Sequence, residues 1–295
     1  MSAGVAAVPG PLVSPGRGSG LVDVPRWRFL LKLLVRKELR VRYRGSVLGL
    51  VWSYVKPGVQ LLVFYVAMGK FLRLEESLPN YVIYLFSGIV IVNFFGEVFG
   101  NTTRSIVANA DLVKKIYLPR ELFPVSSVWV AIVHLLPQLI VLVLAALAAG
   151  WRPGLTNLVG GLLALLVTML LALGLGLIFG AFNVLFRDSE NIVDLILMMA
   201  TWLSPVLYTW VQVKQVVPDL AWRVYQANPL TTAVELSHYG FWVPTGGVAE
   251  KFRDGGPMAP GYAWLGLFGL VVSLLVLAVG QFTFRRLEGR FAQEL

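Results

Sequence analysis

The chain has 295 residues, of which 57% are hydrophobic and 14% charged, and a formal net charge of +9. A mean hydropathy of +0.73 leaves too little polar surface for a water-soluble globule of this size, so the composition defines a multi-pass membrane protein. The cations flank apolar runs and do not gather on a polar surface, which argues against a nucleic-acid partner. The absence of cysteine excludes disulfides, thiol catalysis and Cys-ligated metals together.

In chain order, the first twenty residues are rich in Gly, Pro, Ser and Ala and lack the apolar run of a signal peptide. Residues 1–25 are therefore expected to form a disordered cytoplasmic tail. Residues 26–44 predict a basic amphipathic helix. Trp27, Leu30, Leu31, Leu34 and Val41 fall along one stripe, Lys32, Arg36, Lys37 and Arg40 cover the rest, and Glu38 sits near the stripe. Such a helix lies in the headgroup plane, and a plain positive-inside flank is the simpler, compatible reading.

The first span is expected from about Val47 to Phe71. Its Lys56, followed by Pro57, must either snorkel to the inner interface or face the protein interior, and snorkelling is the preferred expectation. After an outer turn over 72–80, the second span runs from about Tyr81 to Gly100 and carries Asn93 and Glu97. No charged partner lies one turn from Glu97, so a buried structural acid is favoured over a proton relay.

Between the second and third spans lies a polar, basic island, residues 101–121. Asp111 is a candidate cap for a helix of about two turns that ends before Pro119. Leu112, Val113, Ile116 and Tyr117 would share one face, while Lys114, Lys115 and Leu118 point the other way. The segment reads either as a docking knob for a soluble partner or as a charged loop that fixes topology.

The third span, about Leu122 to Ala149, is interrupted by Pro124 and Pro137, with His134 between them as a packing histidine. The fourth, about Leu155 to Phe186, exceeds the roughly 20 residues that a crossing requires, and Gly176-xxx-Gly180 would permit close helix contact. Arg187, Asp188 and Glu190 form an inner turn, read either as a polar cluster or as a capped loop. The fifth span, about Asn191 to Trp210, is broken near Ser204–Pro205, and its aromatics form an interfacial belt or line a passage that stacks on sugar rings. Two short helices, Asp219–Ala227 and Pro229–Tyr239, split at Asn228–Pro229 and are expected to re-enter the outer leaflet. A loop over 246–261 precedes the sixth span, about Tyr262 to Phe284.

The expected fold is thus an all-α integral membrane protein with six transmembrane helices within 45–286 and a short cytoplasmic tail, 287–295. With six spans, seventeen Lys and Arg fall on the side of the termini and seven on the other, which places both termini in the cytoplasm. No phosphate-binding loop, HExxH, GxSxG or paired-carboxylate arrangement is present, so no catalytic or metal-ligating residue is expected. Energy for vectorial work has to come from another polypeptide.

Several blocks in order carry a resemblance: RYRGSVLGLVW at 42–52 with Lys56–Pro57, KKIYLPRELFP at 114–124, NVLFRD at 183–188, SPVLY at 204–208, and Asn228–Pro229. Together they resemble the permeases of ABC-2-type polysaccharide exporters, which move O-antigen, teichoic acid or cell-wall galactan across the bacterial plasma membrane. The resemblance covers about residues 26–290. It implies a homodimer bound to two copies of a cytoplasmic ATPase that carries the ATP and Mg, with no cofactor on this chain.

By the same resemblance, 26–44 is an interface helix, and Asp111, Lys114, Lys115, Ile116, Tyr117, Arg120 and Glu121 belong to a coupling helix region between spans two and three. Arg187, Asp188 and Glu190 form the second inner contact. Arg40, Arg42 and Arg44 meet a lipid diphosphate or lipid headgroups. Trp52, Tyr54, Trp202 and Tyr208 line a channel for an undecaprenyl-diphosphate-linked glycan, and Trp222, Tyr225, Asn228 and Pro229 build an outer gate. The competing classes are an ABC-2 permease for a small molecule, drug or lipid, a membrane scaffold, and a membrane-embedded lipid-glycan enzyme.

Overall fold

The structure is a computed structural model and describes residues 20–115, 118–251, 258–259 and 261–295. Its described residues form helices and turns, with no strand among them. The amphipathic helix α1 spans Arg28–Arg42. It is preceded by 3-10 turns over Gly20–Trp27 in which Val24 is buried, so ordered structure begins inside the stretch expected to be a disordered tail. The first span consists of α2, Trp52–Phe64, continued as a π-helical segment over Tyr65–Phe71. Then come α3, Tyr81–Ala108, and the short α4, Ala110–Lys115. They are followed by α5, Leu122–Ala148, and α6, Leu155–Leu185.

Among the described residues five helices are long and apolar enough to cross a bilayer: Gly49–Phe71, α3, α5, α6 and Tyr262–Glu294. The expected fifth span is not a continuous helix. Helix α7, Ser189–Ala200, has 12 residues, about 18 Å at the α-helical rise and too short to cross the hydrocarbon core by itself. Residues 201–208 follow as turns, because Pro205 has no N–H to donate and disfavours helix at Ser204. The turn is held from α3. The Tyr84 hydroxyl lies 3.0 Å from the carbonyl of Pro205 and 2.8 Å from that of Tyr208, and Tyr81 donates to the carbonyl of Leu207 at 3.1 Å. Irregular backbone at membrane depth persists only where such partners exist.

The short helices α8, Trp210–Val216, α9, Asp219–Ala227, and α10, Pro229–Ser237, come next. Asn228 caps α10 by accepting from the Leu230 N–H at 3.0 Å, with Pro229 at the first helical position. The last span is α11, Tyr262–Leu287, and a 3-10 turn over Glu288–Arg290 and a short helix over Phe291–Glu294 follow it.

Helix α3 is the buried centre, with α5, α6, α7 and α10 packed around it. Lipid is as apolar as leucine, so close van der Waals approach has to hold the spans together. Glycines permit it. A Cβ on Gly176 would lie 2.5 Å from the Thr102 side chain, and one on Gly174 would lie 2.6 Å from the Leu277 backbone nitrogen, opposite Gly280. Helices α3 and α11 thus meet α6 backbone to backbone. Helix α2 contrasts with this: only Pro57 within it is buried, Leu61 and Phe64 pack partly against the core, and Val59, Leu62 and Val63 are exposed.

Candidate functional site

Where the end of α1 meets the first three spans, side chains enclose a cleft of about 710 Å³. Lys56 and Trp52 reach it from α2, Asn93 and Glu97 from α3, and His134 and Gln138 from α5. Arg42 and Tyr43 close it from the end of α1. The Glu97 carboxylate accepts from the Arg42 guanidinium and from His134 Nδ1. The Tyr43 hydroxyl donates to His134 Nε2 at 2.8 Å and meets Ser53 Oγ at 3.1 Å. With the ring proton assigned to Nδ1, that proton goes to Glu97 and Nε2 accepts from Tyr43. Arg42 Nη2 also donates to Asn101 at 3.2 Å, and Asn93 donates to Gln60 at 3.2 Å.

Cations, amides, hydroxyls and an indole surface therefore converge inside a membrane protein. Charge-assisted bonds to anionic oxygens, amide bonds to sugar hydroxyls and ring stacking are all available there. Lys56 lines this cleft and is itself exposed. Glu97 and His134 find their partners on other helices, which a search one turn along the same helix does not reach.

A second polar assembly links α1 to the end of α3. Asn109 accepts from Lys37 and donates to Glu38 at 3.3 Å and to the Ser105 carbonyl at 2.8 Å. Helix α4 begins at Ala110, so Asp111 lies in its first turn and is not its cap. Exposed Asp111 pairs with Lys115 at 3.8 Å. Val113 is buried, while Lys114 and Lys115 are exposed. Leu118, expected to point away, packs against the core. Ile116 and Tyr117 lie outside the described residues. Arg120 stands over the Phe291 ring at 5.7 Å. Glu121 is 2% exposed and faces Gln281.

At the turn after α6, Arg187 and Asp188 are exposed. Glu190 points inward, where it accepts from Asn183 at 2.8 Å and from Arg104 at 3.4 Å, and Arg104 also binds Asp194. Arg40 and Arg44 are exposed on the helix and turn that lead to the cleft, whereas Arg42 is drawn into it. Of the four expected channel aromatics, the structure brings Trp52 alone to the cleft. Tyr54 is exposed and outside its lining, and Trp202 and Tyr208 sit together on the turn after α7, joined by a bond from the Tyr208 hydroxyl to the Trp202 carbonyl.

Around α9, Trp222 stacks on Tyr225 with ring centres 5.8 Å apart, beside Trp210. Asn228 and Pro229 form the hinge to α10. Among the described residues no group of His, Asp or Glu is arranged to hold a metal ion.

Residues 30–242 match the family described as ABC-2 type transporter, and the chain belongs to that family of membrane transport proteins. Among similar proteins is the O-antigen export system permease protein RfbA of Klebsiella pneumoniae, 29% identical over 266 residues that cover 90% of this chain and 95% of the relative. The RfbA of Myxococcus xanthus is 30% identical over 186 residues, 63% of this chain and 70% of that one. The polysialic acid transport protein KpsM of Escherichia coli is 23% identical over 212 residues, covering 70% and 79%.

Proposed function

We propose that this chain is the membrane-spanning permease subunit of an ATP-driven exporter that moves a lipid-linked polysaccharide from the cytoplasmic to the outer side of the bacterial plasma membrane. One observation carries the reading: the polar cleft beside Arg42, Lys56 and Trp52, which offers cations for a lipid diphosphate and an indole for a sugar ring. The relatives named for O-antigen export and polysialic acid transport support the same substrate class.

In this reading both termini are cytoplasmic, the chain acts as a homodimer, and each copy docks one separate ATPase that supplies ATP and Mg chemistry. Exposed α2 supports the dimer, since a second copy would cover it. Exposed Lys114 and Lys115 on α4 are the contact to the ATPase, with Arg187 and Asp188 as the second inner contact. A displacement of α4 passes through Asn109 to Lys37, and α1 carries it to Arg42 and the Glu97–His134 pair. The turn over 201–208 completes a sixth crossing together with α7. Helices α9 and α10 form the outer gate, in which Trp222 and Tyr225 would meet the emerging glycan.

The test is coexpression with a candidate ATP-binding subunit. The wild-type pair co-purifies and hydrolyses ATP, the permease alone does not, and Lys114→Glu with Lys115→Glu abolishes the complex. An undiminished complex in the double variant contradicts the docking assignment.

A further inference from the structure

Three cations on α1 share one face of the helix. Arg28, Lys32 and Arg36 recur at four-residue spacing, so they form a row along one face of the helix, and all three are exposed. Among the described residues none of them pairs with a carboxylate, whereas their neighbours Lys37 and Arg42 do. Like charges one turn apart repel, so the row holds a concentration of positive charge that the described chain leaves unbalanced.

Directly beside the row is an apolar slot of about 480 Å³. Leu31, Val35 and Leu39 form one wall from α1, and Trp129 and Val133 form the other from α5. Trp129 is 49% exposed, as suits an indole at the headgroup level of a bilayer. An acidic protein surface would answer the charge and leave the slot empty. An amphiphile with an anionic head and an acyl tail answers both.

We propose that the junction of α1 and α5 is a binding site for an anionic phospholipid of the surrounding leaflet, with its phosphate on Arg28, Lys32 and Arg36 and an acyl chain in the slot beneath. The site is separate from the cleft at the other end of α1. Its occupant fixes α1 against α5, and α1 places Arg42 on Glu97 and His134.

The full-length permease is purified from nanodiscs that contain both phosphatidylglycerol and phosphatidylcholine, and retained lipid is read by native mass spectrometry. Wild-type protein is expected to keep one phosphatidylglycerol per chain, in preference to phosphatidylcholine by roughly tenfold. Arg28→Gln, Lys32→Gln and Arg36→Gln combined bring that preference to parity. Val133→Trp leaves every charge in place but fills the slot, and also removes the bound lipid. If Val133→Trp retains phosphatidylglycerol as wild type does, the lipid is diffusely adsorbed and the site is refuted. The proposal equally fails if the triple variant keeps its lipid but loses an ATP-binding subunit in lipid-free detergent, since the row is then a protein contact.

A readout on the unaltered row guards against misfolded variants. Phosphatidylglycerol with brominated acyl chains quenches wild-type tryptophan emission more than brominated phosphatidylcholine does, and Trp129→Phe removes the difference. Equal quenching by the two lipids in the wild type overturns the assignment.

Discussion

Arg42, at the last turn of α1, donates to Glu97, which lies fifty-five positions further along the chain in the second span. This pair fastens a helix expected in the headgroup plane to the centre of the bundle, and His134 adds the third span to the same contact. A carboxylate inside a membrane protein is costly unless paired. Removing Arg42 therefore harms more than removing Glu97, since Arg42 still reaches Asn101 and its side chain is 38% exposed.

Arg42→Ala is expected to destabilise the protein by about 1–3 kcal/mol, Glu97→Gln by less, and the double variant by less than the sum of the two. Unfolding curves in detergent measure the cycle, and strict additivity would mean that the pair is not coupled.

Gly280 faces the backbone of Gly174 across α11 and α6, so any side chain there forces the spans apart. Gly280→Leu is expected to cost about 1–3 kcal/mol or more through overpacking. Gly289 has nothing within reach of an added Cβ, so Gly289→Leu serves as the control. Thermal stability of the two purified variants decides the matter, and equal values would remove the packing role of Gly280.

Glu75, in the turn between the first two spans, is held below the usual carboxylate range, first by the hydrogen bond from Lys70 and then by that from Tyr65, at 2.6 and 2.7 Å. A pKa depressed by folding contributes order above the unfolded value and loses it as pH falls through the folded value. Amide exchange over 72–78, corrected for its intrinsic pH dependence, should therefore quicken as pH drops through the carboxylate range. In Glu75→Gln that pH dependence disappears. The group lies partly exposed in an outer turn, so global stability should hardly change.

Much of the architecture was legible from periodicity and breakers. Pro229 after Asn228 marked the α9–α10 junction, Gly154 and Phe186 bracket a helix whose length the apolar run already gave, and Gly176 and Gly180 lie against α3 as their spacing suggested. The cleft was less legible. Trp52, Arg42, Glu97 and His134 were each visible as unusual residues, but their union depends on α1 folding back over α3 and α5, a long-range contact that leaves no local period. The unwound turn after α7 was visible only as a break at Ser204–Pro205. Its length depends on hydroxyls supplied by Tyr81 and Tyr84, more than a hundred positions away.

The central claim is that this chain carries lipid-linked glycan outward under the drive of a separate ATPase. The most direct measurement is the sidedness of lipid-linked polymer in cells depleted of the protein, restored with either wild type or Lys114→Glu with Lys115→Glu. Polymer is expected to accumulate on the cytoplasmic leaflet in depleted cells, with export restored by the wild type and not by the variant. Unchanged sidedness and amount on depletion would contradict it.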